Sequence, residues 1–376
     1  MHLTVVFKHI LEQIGLIASD SIIKYGIVSR IQIMKKKSVL MVVSKYPATY
    51  GHTTVINNLC LGLDKIGYDT AIGAFSFDSD PPNNIRKIKL SKLRLLTSGI
   101  NYLNFDIIHT HQALINYYLL SVKPKKHVIQ HYHAASNRLQ EINAKIMMKL
   151  YKKRISKIIC VSHKALNHFK ELVGECDAIV IYNGVDTEFY NPNLPTPYKR
   201  GSPQLLFVSV LRKYKKTGIL IDAMPELLKK YPNAYLQIVG IGEDYENMKN
   251  KIKKMNLDNN VEMLGKISDE ELRLHYSSCD LYISASTHEH CPVPPFEAMG
   301  CGKPLVLSEL EGHNEILNLS KAGLTFSFND KTDICKKIEE VYEKKGYFGV
   351  NALSCAKKYD WSNICKQVAN VYEQLT

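Results

Sequence analysis

Two glutamates, Glu289 and Glu297, are separated by seven residues and flank a predicted turn from a strand into a helix. The apolar run at 280–284 has the length and composition of a buried parallel strand, and residues 296–299 predict a helix that ends at Gly300. Ligands of open α/β sheets bind at the carboxyl ends of the strands. We therefore expect both carboxylates to reach one ligand; the alternative is that they are ordinary solvated acids.

The start of this helix favours an anion. Pro294 and Pro295 have a fixed φ and no N–H, which suits a first helical turn, where amides have no partner within the helix. The amides beyond them are expected to be free and to point at a negative group. The sequence therefore predicts a diphosphate beside this turn.

Composition and charge limit the remaining possibilities. With 376 residues, 45% of them hydrophobic, the chain is long enough for two domains. Its nine cysteines contain no Cys-x-x-Cys pair, which favours reduced thiols in a cytoplasmic protein and no structural zinc. A net charge of +13 predicts an acidic partner, which can be nucleic acid, an anionic membrane or a phosphorylated small molecule.

A basic amphipathic helix is predicted at 138–154, with an apolar stripe of Leu139, Ile142, Ile146 and Leu150. Such a helix is typical of peripheral binding to an anionic membrane surface, here the inner face. The alternative is a helix that packs this stripe on the core and leaves its basic side in solvent.

The first 33 residues predict neither a membrane span nor a secretory signal. Charged residues interrupt every apolar stretch, and no small-residue cleavage site follows a short apolar core. We treat residues 1–33 as an N-terminal extension of unknown role.

Strand and helix patterns alternate from residue 38 onward. A proline-rich linker at 194–203 divides the alternation into two halves. The pattern predicts an α/β fold of two Rossmann-like, doubly wound parallel-sheet domains that face each other across a cleft. We place the first domain at 34–195 and the second at 196–358, followed by a C-terminal helix at 359–376.

Three separated motifs carry a resemblance to a known family. They are residues 183–192 (Asn-Gly-Val-Asp-Thr-Glu-Phe-Tyr-Asn-Pro), residues 238–242 (Ile-Val-Gly-Ile-Gly) and the two glutamates. In this order they resemble the family-4 retaining glycosyltransferases of the GT-B fold, over residues 38 to about 375. The resemblance implies transfer of a sugar from a UDP- or GDP-sugar to a glycan or lipid-linked acceptor, with retained configuration and without metal or cofactor. It also implies that the C-terminal helix packs back on the first domain.

The same resemblance assigns roles in the second half of the chain. Glu297 would hold the ribose hydroxyls, and Glu289 would contact the donor sugar or its phosphate. The lysine-containing turn puts Lys215 on the diphosphate, and Arg212 is close enough in sequence to share that role. Two cations offset the growing charge of the leaving group.

In the first half, residues 47–54 resemble the glycine-rich loop that approaches the donor phosphate, which assigns Gly51 and His52 to the donor. Residues 130–133 resemble the histidine site beside the transferred sugar, where His133 aligns best. Val293, just after the altered turn described next, is also assigned to the donor.

The chain departs from the family pattern at several positions. The family often has arginine where this chain has Val210 and glycine where it has Lys216. The usual Gly-Phe-Gly turn between the two acids is His290-Cys291-Pro292 here. Because Pro292 has no N–H and cannot adopt a positive φ, one backbone contact to the donor is expected to be missing, which leaves the identity of the sugar open.

Two further features invite other chemistry. The triplet Asp78-Ser79-Asp80 resembles the metal-binding triplet of glycosyltransferases of another fold, but it has no partner motif, so we expect no metal there. Cys291 has no evident base, and we assign it to packing.

Alternatives to a transferase remain open at this point. A GT-B-shaped subunit that binds nucleotide sugar or lipid and supports a partner enzyme is favoured by the altered turn at 290–292. A nucleic-acid-binding protein rests on net charge alone, because no binding module is recognisable.

Overall fold

The structure is a computed structural model that describes residues 36–48, 51–82, 85–135, 138–328, 330 and 332–375. The proposed extension at 1–33 lies outside the described residues. Ser38–Thr376 forms one compact unit.

The first sheet consists of parallel strands, and its inner strands are apolar runs buried on both faces. Among the described residues it has seven strands, in the order β5-β3-β1-β6-β7-β8-β9. These strands are β1 (Ser38–Val42), β3 (Asp69–Ala74), β5 (Arg86–Lys89), β6 (Ile107–Thr110), β7 (His127–Tyr132), β8 (Lys157–Cys160) and β9 (Ala178–Val180), and a separate short pair is β2 (Lys45–Tyr46) with β4 (Ser76–Phe77). The connecting helices are α1 (His52–Lys65), α2 (Lys92–Ser98), α3 (Asn116–Leu119), α4 (Arg138–Tyr151) and α5 (His163–Val173).

The second sheet repeats this construction. Six parallel strands of the described chain are arranged in the order β12-β11-β10-β13-β14-β15. They are β10 (Gln204–Val208), β11 (Tyr235–Val239), β12 (Val261–Gly265), β13 (Leu281–Ser284), β14 (Leu305–Ser308) and β15 (Gly323–Phe326). Its helices are α6 (Thr217–Lys230), α7 (Tyr245–Lys254), α8 (Asp269–Ser278), α9 (Pro294–Gly300), α10 (Glu311–Ser320), α11 (Asp333–Glu343) and α12 (Lys345–Lys358).

The predicted α/β architecture with two parallel sheets is confirmed. In each sheet the first strand is internal: the chain adds strands on one side of β1 and β10 and then returns to add β6 and β13 on the other. A crevice opens at such a switch point, outside the carboxyl ends of the strands. Both sheets therefore offer a ligand crevice at a defined place.

The last helix, α13 (Trp361–Glu373), packs against the first sheet's side of the molecule, where Ile364, Val368 and Tyr372 are buried in the same core as α1. Two backbone hydrogen bonds of Val185 hold the segment that leads into α13. The N–H of Val185 donates to the carbonyl of Tyr359 (3.0 Å), and its carbonyl accepts from the N–H of Trp361 (3.0 Å).

The apolar stripe of α4 faces away from the core. Leu139, Ile142, Ile146 and Leu150 are 69%, 43%, 46% and 57% exposed, while Ala144, Met147 and Met148 are buried. The interpretation in which the stripe packs on the core is therefore wrong. None of the helices in the described part of the chain is long and apolar enough to cross a membrane.

Candidate active site

A cleft of about 620 Å³ lies between the carboxyl ends of the two sheets, a size typical of small-molecule sites. Loops from both sheets line it. Every residue to which the sequence analysis assigned a role in catalysis or donor binding lies in this lining: Gly51, His52, His133, Arg212, Lys215, Glu289, Val293 and Glu297.

Two glycines pack closely against the backbone of the loop that follows β10 and position this loop at the cleft. A Cβ on Gly240, which has a φ of 126°, would lie 1.8 Å from the carbonyl oxygen of Ser209. A Cβ on Gly242 would lie 2.2 Å from that of Leu211. The glycines of the 238–242 motif therefore hold residues 209–211 in place, and the next turn, Lys213–Lys215, carries the predicted cations.

Lys215 and Glu289 form an ion pair whose side chains are only 14% and 13% exposed. Two hydrogen bonds join the loops that carry this pair. The carbonyl of Tyr214 accepts from the N–H of Thr287 (2.8 Å) and from the hydroxyl of Thr287 (3.0 Å). The cation and carboxylate assigned to the donor are therefore adjacent in the cleft.

Lys216 adopts the left-handed conformation, with a φ of 51° and a ψ of 34°. Only glycine adopts this region at no steric cost. The geometry of the turn thus accounts for the glycine that the resembled family has at this position.

Glu297 lies on α9 and is 8% exposed. The hydroxyl of Tyr276 donates to its Oε2 at 2.8 Å. Burial raises the pKa of Glu297 to about 7, the hydrogen bond from Tyr276 lowers it, and the nearby charge of Asp269 raises it. The carboxyl therefore gains or loses its proton near neutral pH.

The amides at the start of α9 are not free. Phe296 and Glu297 both donate to the carbonyl of Val293, at 2.9 and 3.2 Å. The two prolines before them have no N–H. The prediction that this turn offers free amides to a diphosphate is therefore wrong, and positive charge in the cleft comes from side chains.

The altered turn between the acids is buried. His290 is 9% exposed and neither of its ring nitrogens has a hydrogen-bond partner in the described structure. Burial lowers the pKa of His290 to about 3, aided by the nearby charge of Lys164. The carbonyl of Cys291 accepts from the amide of Asn183 (2.7 Å), and burial raises the pKa of its thiol to about 12. Cys291 is thus an inert, packed thiol.

On the opposite wall, His52 stacks on His133 with ring centroids 4.2 Å apart. Nε2 of His133 lies 3.0 Å from Nδ1 of His111. Burial lowers the pKa of His133 well below its ordinary value, and neighbouring histidines lower it further. This wall of the cleft therefore presents neutral imidazoles.

The sequence analysis missed the contacts that join the two walls. The ammonium of Lys164 donates a hydrogen bond to the carbonyl of Glu289 (3.0 Å). The carboxylate of Glu315 accepts hydrogen bonds from the N–H of His163 (2.7 Å), the N–H of Lys164 (3.1 Å) and the hydroxyl of Tyr182 (2.6 Å). Of these residues, only Glu289 belonged to a motif that the sequence analysis recognised. The other partners lie far apart in sequence, so no local pattern connects them.

Asp78 and Asp80 lie outside this site. They pair with Lys45 and Lys87 at the surface, where the two aspartates are 55% and 77% exposed.

Comparisons with known proteins agree with this architecture. Residues 50–189 match the family model "Glycosyltransferase Family 4", and residues 195–353 match "Glycosyl transferases group 1". An uncharacterized glycosyltransferase of Methanocaldococcus jannaschii is 28% identical over 90% of this chain and 98% of its own length. The phosphatidyl-myo-inositol mannosyltransferase of Mycolicibacterium smegmatis is 24% identical over 73% of this chain and 72% of its own.

Solved structures share the fold. HepE of Anabaena in complex with UDP-glucose superposes with a TM-score of 0.74, at 18% identity, over 90% of this chain and all of its own. Sucrose-phosphate synthase of Thermosynechococcus elongatus gives the same TM-score at 17% identity, over 90% of this chain and 99% of its own.

Proposed function

Because the chain is a glycosyltransferase of the GT-B fold, with a family 4 domain followed by a group 1 domain, we propose that it transfers a sugar from a nucleotide-diphosphate donor with retained configuration. The donor is a UDP- or GDP-sugar. The acceptor is a glycan or a lipid-linked molecule.

One observation carries this proposal: Lys215, Glu289 and Glu297 come from three separate segments at the carboxyl edge of the second sheet and line one cleft with His133 of the first sheet. A nucleoside diphosphate offers a pair of ribose hydroxyls and a double negative charge. A buried carboxylate accepts hydrogen bonds from paired hydroxyls, and ammonium and guanidinium groups bind phosphate oxygens. The structure of HepE with UDP-glucose supports a donor of this class.

In the proposed reaction, Glu297 holds the ribose and Lys215, assisted by Arg212, neutralises the leaving diphosphate. Lys215 must then exchange Glu289 for phosphate oxygens, which frees the Glu289 carboxylate to bind the sugar hydroxyls. The acceptor hydroxyl attacks the anomeric carbon on the face that the diphosphate leaves, and a phosphate oxygen takes its proton. The protein contributes position and electrostatic stabilisation, and His133 supports the transferred sugar. Because Lys215 and Arg212 supply the positive charge, the reaction needs no metal at the diphosphate.

A lipid-linked acceptor at an anionic membrane is supported by α4. Its exposed apolar stripe adjoins exposed Lys145, Lys149, Lys152 and Lys153. Apolar side chains that enter the acyl boundary beside lysines at the headgroups are the recognised features of an interfacial helix. The mannosyltransferase relative is named for an inositol phospholipid, which agrees with an acceptor of this kind.

The test is a panel of UDP- and GDP-sugars supplied in EDTA, with release of the nucleotide diphosphate measured for the parent chain and for Glu297→Ala. We expect one donor to be hydrolysed slowly by the parent and faster with anionic liposomes that carry an extracted lipid acceptor. Glu297→Ala should release little nucleotide. Binding of every donor without turnover, in the presence of acceptors, would contradict the proposed transfer.

A further inference from the structure

The first sheet carries an array of histidines that the proposed transfer reaction leaves largely unexplained. His109 and His131 are on neighbouring strands, β6 and β7, and His111 and His133 follow two residues later, just beyond the carboxyl end of each strand. The register pairs His109 with Ile129 and Thr110 with Gln130. Because alternate residues of a strand point to the same face, all four imidazoles share one face of the sheet.

The rings of three of these histidines lie almost parallel. The ring centroid of His109 lies 4.8 Å from that of His111 and 5.2 Å from that of His131, and the interplanar angles are 17° and 13°. The centroids of His111 and His131 are 5.1 Å apart. His109, His111 and His131 are 0%, 2% and 3% exposed, so three imidazoles share one buried volume.

Their hydrogen bonds leave coordinating nitrogens available. Nδ1 of His109 lies 2.6 Å from the hydroxyl of Tyr372, and its Nε2 lies 3.2 Å from Nδ1 of His131. Nε2 of His131 is buried and has no hydrogen-bond partner in the described part of the chain. Among the described residues, Nε2 of His111 contacts only the thioether of Met41, a weak acceptor, at 3.5 Å.

We propose that His109, His111 and His131 bind a transition-metal ion, with Zn²⁺ as the representative case. One nitrogen from each ring lies within 4.8 Å of the other two. Nitrogens around a tetrahedral zinc lie about 3.3 Å apart, given Zn–N bonds of about 2.0 Å. Nε2 of His109 and Nδ1 of His131, 3.2 Å apart, already have this spacing, and rotation of the His111 ring completes the set.

The chemistry of the three ligands selects the ion. The neutral imidazole ring is the form that coordinates metals. Nitrogen-only ligands favour Zn²⁺, Co²⁺, Ni²⁺ or Cu²⁺ over Mg²⁺ and Ca²⁺, which prefer oxygen. The hydroxyl of Tyr372 on α13 hydrogen-bonds to Nδ1 of His109, and a bond of this kind orients a histidine whose other nitrogen binds a metal.

The placement of this site gives an ion a structural role next to the donor cleft. His111 and His131 line the cleft, which gives an ion a route in, and His109 is buried behind them. The metal would join β6 to β7 and, through Tyr372, to α13. His111 lies 3.0 Å from His133, so the ion would adjoin the sugar side of the cleft, while Lys215 on the opposite wall binds the diphosphate. This site differs from the sequence-based expectation that the chain holds no metal.

The test uses the full chain, stripped with EDTA and titrated with Co²⁺. We expect one equivalent to bind and to give the visible d–d bands of a low-coordinate nitrogen site, which Zn²⁺ then abolishes. The absence of a thiolate-to-cobalt charge-transfer band excludes the nine cysteines as ligands. Zn²⁺ at a hundredfold excess over its Kd should raise the Tm by roughly 3–4 °C. No binding, or a thiolate band, overturns the proposal.

A matched pair of variants locates the ion. His131→Gln should weaken binding of Co²⁺ at least about 100-fold, because removal of one of three ligands leaves a two-nitrogen site. His127→Gln, at the start of the same strand, should bind like the parent. A His131→Gln chain that keeps its Tm in EDTA and binds Co²⁺ as tightly as the parent overturns the proposal. If His131→Gln does not fold, the cobalt spectrum of the parent decides. Donor hydrolysis in EDTA is measured separately, so failure of the metal site and failure of the proposed transfer are distinguishable.

Discussion

The ammonium of Lys215 and the carboxylate of Glu289 are paired in the cleft, and each side chain is almost out of solvent. Breaking a buried pair by removing one partner leaves an uncompensated charge. Lys215→Met should therefore lower the free energy of unfolding by roughly 2–3 kcal/mol, an intermediate value between exposed and fully buried pairs. Urea unfolding measures the change.

The double variant completes this test. Lys215→Met with Glu289→Leu removes both charges and should recover most of the lost stability. If the two single losses simply add in the double variant, Lys215 and Glu289 are not coupled in solution.

Glu297 gives a dependence on pH with a defined sign. Its pKa is about 7 in the folded chain against an ordinary 4.5, so the folded chain keeps the proton to a higher pH than the unfolded chain. The contribution of Glu297 to stability is complete below pH 4.5 and is lost as the pH rises through 7. Glu297→Gln cannot ionise, and it should be more stable than the parent at pH 8 by roughly 2–4 kcal/mol.

Denaturant unfolding from pH 5 to pH 8 measures this difference, which should shrink toward pH 5. Glu309→Gln, at an exposed position, is the matched control and should follow the parent at every pH. A gain for Glu297→Gln that stays constant with pH would mean that the carboxyl does not titrate near neutrality.

Lys216 is a site where glycine should improve stability. The left-handed backbone at this position costs a non-glycine residue about 1 kcal/mol, and Lys216→Gly removes that cost. The greater freedom of glycine in the unfolded chain offsets part of the gain. We expect a change between about 0 and +1 kcal/mol in the free energy of unfolding. Lys249→Gly, in the exposed middle of α7, is the control and should cost about 1 kcal/mol. Equal losses for both variants would contradict the left-handed turn.

The exposed stripe of α4 predicts membrane binding that can be removed without unfolding the chain. Ile146→Glu together with Leu150→Glu should lower co-sedimentation with anionic liposomes roughly tenfold or more, because two apolar side chains no longer enter the bilayer. The Tm should hardly change. Val350→Glu, at a 68% exposed position of α12, should sediment like the parent. Equal sedimentation of all three chains would exclude α4 as the membrane surface.

Much of the fold follows from local patterns. Buried parallel strands such as β1 and β13 are continuous apolar runs, and the helices between them have their own periodicity, so the alternation was predictable. Because the loops at strand carboxyl ends of one sheet meet at one edge, Lys215 and Glu289 could be expected together, and the family resemblance added His133 from the facing sheet.

Other features depend on tertiary geometry. Helix α4 has two apolar stripes, and composition alone does not tell whether Ile146 or Met147 faces the sheet. The carbonyl of Val293 accepts from the amide of Phe296, which a helix start normally leaves free. The period-two histidines at 109 and 111 and at 131 and 133 are visible in the sequence, but their contact depends on the register of β6 with β7.

Nucleotide binding by the Lys215 turn is the central claim and is tested most directly by calorimetry. UDP and GDP are titrated in EDTA into the parent chain, into Lys215→Met and into Lys213→Met, whose side chain occupies an exposed position of the same turn. One of the two nucleotides should bind the parent chain. Lys215→Met should bind it roughly 10- to 100-fold more weakly, because one charge-assisted hydrogen bond to phosphate is lost. Lys213→Met should bind like the parent. Equal affinity of all three chains, or no binding of either nucleotide by the parent, would contradict the assignment of the donor diphosphate to Lys215.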